Sequence, residues 1–212
     1  MTDTMSRADL WAAIHTERAR LAEDLAGLDA TAWATPSLCG RWTVEEVVAH
    51  LTAAASIGTG RWIVSMLGAR FDDGVHNDRR LAEQRGPTPA ETLARFRAAV
   101  PSTTAATGHT AAWLGEVVVH GQDVRRPLGI ATTPSVGAAT AVARFFVSRD
   151  FAVNSRTAAE GLRLEATDGP FAHGGGPPVR GTTTALVLAL AGRRAYLEDL
   201  AGEGVAVLAS RL

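Results

Sequence analysis

The stretch Ala111 to Gly129, AAWLGEVVVHGQDVRRPLG, carries Glu116 and His120 four residues apart. At 3.6 residues per turn such a pair stacks on one face of a helix, one turn apart. Trp113 and Val117 fall on the same stripe, which predicts that the carboxylate and the imidazole turn inward. Inward polar groups need partners: an unpaired buried polar group costs roughly 2–7 kcal/mol, and an unpaired charge more. A divalent cation would satisfy both at once. Upstream, TVEEVVAHL places a second helical histidine, His50. Two imidazoles and one carboxylate with an open coordination position suit Zn²⁺ in a catalytic site and also suit non-haem Fe²⁺. The spacing alone serves equally a surface ion pair or a packed core pair. What decides is whether the fold brings His50 to the other two.

The elements that would do so can be read from caps and periodicity. Ser6 with Asp9 resembles a capping box, and Leu10, Ile14, Leu21, Leu25 and Leu28 follow at helical spacing. Residues 29–42 have the Pro, Ser and Gly of a loop. Thr43 with Glu46 opens a second helix predicted to run to about Leu67, with Gly58 and Gly60 marking a bend. Arg70 to Gly86 is polar and reads as an exposed excursion that could contact substrate. Thr88, Pro89 and Glu91 start a third helix, which Pro101 limits. The Glu116 stretch is the fourth, ended by Pro127 and Gly129, and Pro134 to about Val153 adds one more helical segment. After Asn154 the pattern changes. Leu162, Leu164 and Ala166 alternate as a strand does, Asp168-Gly169 is a turn, and HGGGPP is a glycine-rich loop. Thr182 to Leu190 and Ala195 to Leu200 read as helices, and Val205 to Leu208 as a last strand. The expected class is α+β: a helical bundle over 1–153 and a small α/β module over 154–212.

Composition removes several function classes. The formal charge is −1, with 21 basic and 22 acidic residues, so electrostatic binding to nucleic acid or an anionic membrane has no support. The opening MTDTMSRADLW has no basic region followed by an apolar one, and no apolar run approaches the ~20 residues that span a bilayer. A cytoplasmic protein is expected. The single cysteine, Cys39, makes no internal disulfide and fits a reducing compartment.

Two motifs go beyond pattern. PSLCGRWTVEEVVAHL (Pro36 to Leu51) and GEVVVHGQDVRRPLG (Gly115 to Gly129) resemble the two metal segments of the actinobacterial mycothiol-dependent maleylpyruvate isomerase family, whose bundle is DinB-like. The tail is similar to that family's sterol-carrier-like C-terminal module through TDGP (Thr167 to Pro170), VRG (Val179 to Gly181) and LALAGR (Leu188 to Arg193). The resemblance thus spans nearly the whole chain.

It implies a divalent metal, usually zinc, held by His50, Glu116 and His120, with an open position for the thiol of mycothiol. It also implies that Arg193 pairs with an anionic substrate. A coordinating thiol is deprotonated by Zn²⁺, which turns a poor nucleophile into a thiolate aimed at an electrophilic carbon. In the isomerase the adduct permits rotation about a former double bond; in related S-transferases the adduct is the product. Two other classes stand beside this reading: a non-catalytic, metal-stabilised binding or regulatory protein of the same fold, and a DinB-like metal hydrolase. The electrophile, the choice of zinc over iron or manganese and the oligomeric state stay open. Cys39 is read as a packing residue, since the sulfur comes from the cofactor. Asp123 could orient the free nitrogen of His120 or pair with Arg125 or Arg126. His15, His109 and His173 receive no role.

Overall fold

The computed structural model describes residues 5–40 and 42–212. Residues 1–4, part of the opening segment read above, and Arg41, in the loop before the second helix, lie outside the described residues. The chain forms two compact units, one of residues 7–132 and the other of residues 133–212 together with residues 5–6.

The first unit is helical: α1 (Arg7–Asp24), a single turn α2 (Ala30–Trp33), α3 (Val44–Ala54), α4 (Thr59–Gly68), α5 (Asp73–Gln84), α6 (Pro89–Ala99) and α7 (Thr110–Arg125). Four of these close a bundle, with α1 packed on α6 and α7, and α3 packed on α6 and α7. Sequence rules account for their starts. Thr43 Oγ1 accepts from Glu46 N at 3.3 Å while Glu46 Oε2 accepts from Thr43 N at 2.8 Å, a reciprocal cap on α3. Thr88 caps α6 with Pro89 in its first turn. From Leu114 onward α7 is buried at every position except Glu116, so it is the central helix of the unit rather than an amphipathic one.

Two expectations are corrected in this unit. The helix expected from Thr43 to Leu67 is two helices: α3 ends at Ala54, and Gly58 caps α4 without a side-chain bond. The low helix propensity of the Gly58-Thr59-Gly60 stretch lets the chain turn there. The excursion at 70–86 is mostly the helix α5, which Asp72 caps by accepting from Val75 N at 2.9 Å. It packs lengthwise on α3 through a stripe that includes buried His76 and Leu81. That stripe is too polar to show as an apolar period.

The second unit holds α8 (Val136–Ser148), α9 (Ser155–Ala159), β1 (Arg163–Ala166), β2 (Ala172–His173), β3 (Pro178–Gly181), α10 (Thr183–Leu190), a 3-10 segment (Arg194–Asp199) and α11 (Gly204–Ala209). The sheet order is β2-β1-β3, with β1 antiparallel to β2 and parallel to β3. All eight residues of α10 are buried, so it needs cover on every side. The helix α8 supplies part of that cover. For this reason α8, expected to belong with the bundle in a unit ending at 153, sits with the C-terminal elements. The turn at Asp168 also anchors α10, because Asp168 Oδ1 accepts from Thr183 N at 2.7 Å and from Thr183 Oγ1 at 2.6 Å. In the glycine-rich loop Gly174 has φ +76°, and a Cβ there would collide with the carbonyl oxygen of Leu162, so only glycine fits. The strand expected at Val205–Leu208 is helical in α11. Its buried residues, Gly204 and Leu208, are one helical turn apart. Among the described residues no helix is long and apolar enough to cross a membrane.

Candidate metal centre

His50 reaches the site from the second turn of α3, Glu116 and His120 from the middle of α7. Because α3 and α7 pack directly, residues 66 positions apart in sequence meet: His50 Nε2 lies 3.3 Å from Glu116 Oε1. The other carboxylate oxygen, Glu116 Oε2, lies 3.6 Å from His120 Nε2. The two imidazole rings stand edge to face with centroids 4.9 Å apart. One donor atom from each of the three residues falls within 4.8 Å of the others. Two imidazole nitrogens and a carboxylate gathered within 4.8 Å are the donor types a divalent ion takes, so the residues present fit such an ion in chemistry. Both histidines are buried, while the Glu116 side chain is 29% exposed and marks the open side of the cluster.

Outer partners fix the orientation of the donor atoms. His120 Nδ1–H donates to Asp123 Oδ2 at 2.9 Å, and Asp123 is fully buried. That bond selects the tautomer in which Nε2 carries the lone pair and faces Glu116. Of the alternatives open to Asp123 the structure therefore shows the orienting one. Arg125 goes elsewhere, donating from Nε to Asp24 Oδ2 at 2.8 Å. Trp42 lies over His50 with ring centroids 4.8 Å apart and donates from Nε1 to Asp78 at 3.3 Å.

Burial disfavours a charge on His120. Its hydrogen bonds to Asp123 and Cys39 and the fields of Glu116 and Asp123 outweigh this and lift its pKa from 6.5 to about 10. The folded value lies above the unfolded one. The protonated ring therefore contributes stability that is fully present below pH 6.5 and is lost as the pH rises through 10. Thermal melts of the chelator-treated protein are expected to fall between pH 7 and pH 10, and Asp123→Asn should flatten that decline. The chain has no lysine, one tyrosine and one cysteine, so few other groups titrate in this window. A flat wild-type profile would show that the ring is neutral throughout. Metal binding has the opposite slope, since it needs the neutral ring.

The remaining candidates are dispersed. Arg193 belongs to the second unit, half-buried just after α10, and donates from Nη1 to the carbonyl of Ala191 at 2.7 Å. His109 is exposed at the N-cap of α7, and His173 is exposed on β2. His15 is bonded to the carbonyl oxygen of Ser102 at 3.2 Å. Cys39, read as packing, instead forms a second close cluster with His120 and Asp123. The hydrogen bond from Leu38 N to the carbonyl of Asp123, 3.0 Å, ties its loop to α7.

A cavity of about 80 Å³ opens on the cluster. His50 and Glu116 line it together with Ile57, Trp62, Trp113, His76, Asn77 and Arg80. His76 accepts or donates through Nδ1 to Ser65 Oγ at 2.8 Å, and its pKa is lowered by burial first and by the charge of Arg80 second. The three α5 residues went unassigned in the sequence because their helix was read as a loop. The Asp72-Asp73 pair ahead of them was the available cap signal.

Residues 14–125 match the family described as the mycothiol maleylpyruvate isomerase N-terminal domain. Among solved structures, the crystal structure of a point mutant of the mycothiol-dependent maleylpyruvate isomerase matches with a TM-score of 0.62 and 14% sequence identity. The match covers 95% of this chain and 96% of that one. The crystal structure of the unmutated isomerase gives 0.59 and 13% over the same shares. At such identities the likeness is one of fold. No curated protein matches the chain in sequence.

Proposed function

The chain belongs to the mycothiol maleylpyruvate isomerase family, whose N-terminal domain spans more than half its length, and from that premise we propose that it is a metal-dependent, mycothiol-using enzyme. It acts on a small electrophile, as a cis–trans isomerase or as an S-transferase. His50, Glu116 and His120 hold the divalent cation; two nitrogens with one oxygen accept Zn²⁺, the metal that the family resemblance implies, and equally Fe²⁺. Carrying the proposal is one observation: donor atoms of these three residues, drawn from two helices, lie within 4.8 Å of one another.

When bound, the cation would lower the pKa of a coordinating thiol and present it as a thiolate. The rest is the work of the chain. Asp123 keeps the proton of His120 on Nδ1 and leaves Nε2 for ligation. Trp42 holds the His50 ring against rotation. Trp62, Trp113 and Ile57 line the cavity beside the cluster and limit water there. Arg193 is assigned to an anionic group of the substrate, as the family resemblance implies.

Elemental analysis of the purified protein followed by calorimetry with mycothiol tests this directly. About one equivalent of divalent metal, and mycothiol binding that disappears after chelation, are expected. Mass spectrometry of products from mycothiol with maleylpyruvate-like, halogenated and epoxide electrophiles then separates isomerase from S-transferase. Metal without affinity for the thiol would overturn the thiol half of the proposal, and the absence of both would leave a binding protein of this fold.

A further inference from the structure

We propose that Arg80 binds an anionic group of the substrate beside the donor cluster, a group other than the one assigned to Arg193, so that selectivity for that carboxylate is set from α5. This deepens the reading above and rests on it only for the identity of that substrate. Arg80 lines the cavity that His50 and Glu116 also line, and its side chain is only 18% exposed. One hydrogen-bonding edge is used: Nη2 lies 2.6 Å from Glu83 Oε1. The Nε–H is buried and has no partner. A buried donor without an acceptor costs about 1–3 kcal/mol, and a partly exposed pair with Glu83 returns little of that. A ligand carboxylate would supply the acceptor.

Charge points the same way. Glu83 is shared, its Oε2 lying 3.4 Å from Arg61 Nη2, so one carboxylate serves two guanidinium groups and offsets the charge of Arg80 only in part. Asn77, one turn before Arg80 on α5, adds an amide to the same cavity. Trp62 and Trp113 wall it, and their low dielectric strengthens an ion pair formed there. A volume of about 80 Å³ has room for several water-sized groups, enough for a carboxylate and the carbon that bears it.

Calorimetric titration with maleate, a small dicarboxylate, tests the assignment on the wild type, Arg80→Gln and Arg80→Lys, each with and without one equivalent of Zn²⁺. Arg80→Gln should weaken maleate binding by about 10- to 100-fold while leaving Zn²⁺ affinity and the thermal midpoint unchanged. Arg80→Lys keeps the charge and should stay within about 10-fold of the wild type. If the glutamine variant folds poorly, the lysine variant and the zinc titration still separate recognition from structure. Equal maleate affinity in wild type and Arg80→Gln, or no maleate binding by the wild type, would overturn the proposal. A wild type that takes up no Zn²⁺ yet binds maleate through Arg80 would sink the metal reading and leave this one standing.

Discussion

Replacing His120 with alanine is expected to lower the affinity for Zn²⁺ by at least about 100-fold and to abolish thiol-dependent turnover. The scale comes from comparison with an outer partner, whose removal typically costs 10–100-fold; a ligand atom should cost more. Asp123→Asn is therefore the graded control, expected within that 10–100-fold range because it keeps the shape and loses the charge that orients Nδ1–H. His120→Ala also strips Asp123, a fully buried carboxylate, of its hydrogen-bonded ring. The variant should thus lose some stability as well as the metal. His120→Ala/Asp123→Ala removes that complication and should bind Zn²⁺ no better than His120→Ala. Competition with a chromophoric chelator gives the affinities. Wild-type affinity in the single mutant would remove His120 from the ligand set.

The second large effect lies away from the cluster. Asp24→Ala is expected to destabilise the bundle by about 3–5 kcal/mol, the usual consequence of leaving one member of a buried ion pair alone. Arg125 is 1% exposed and leans on Asp24 through Nε, and Asp24 Oδ1 accepts in addition from Thr132 Oγ1 at 2.9 Å. Deleting the acid leaves a desolvated guanidinium two residues from Asp123, at the C-terminal end of the central helix. Urea unfolding followed by circular dichroism reads the change in midpoint. The double variant Asp24→Leu/Arg125→Met should recover much of the loss. A single-mutant change below about 1 kcal/mol would mean that water reaches the guanidinium.

Much of this was legible in the residues. Caps at Thr43 and Thr88 placed α3 and α6 because such motifs act through neighbours three residues away. The Glu116 and His120 spacing placed a carboxylate and an imidazole one turn apart on α7 for the same local reason. His50 could be named but not joined to them by spacing, since its contact depends on packing across 66 residues. His120 turns inward for a different reason than periodicity offers, since α7 is buried at nearly every position, while Glu116 is half-buried at the open side. What local rules missed was tertiary. The α5 helix is held by burial of His76 and Leu81 against α3 rather than by an apolar stripe. In the tail, VAVL carries strand-forming residues but folds as α11, where one-turn spacing of Gly204 and Leu208 outweighs propensity. The grouping of α8 with the C-terminal elements likewise followed from the need of α10 for cover.

The wall beside the cluster has a consequence for how such proteins diversify. The helix α5 contributes His76, Asn77 and Arg80 to the cavity but none of the three clustered donor residues, which come from α3 and α7. Under the proposed function, exchanges at positions 77 and 80 would alter what is admitted while leaving the donor residues in place, whereas His76 also feels the charge of His50. Libraries confined to those two codons are the economical route to new ligand preferences on an unchanged donor set.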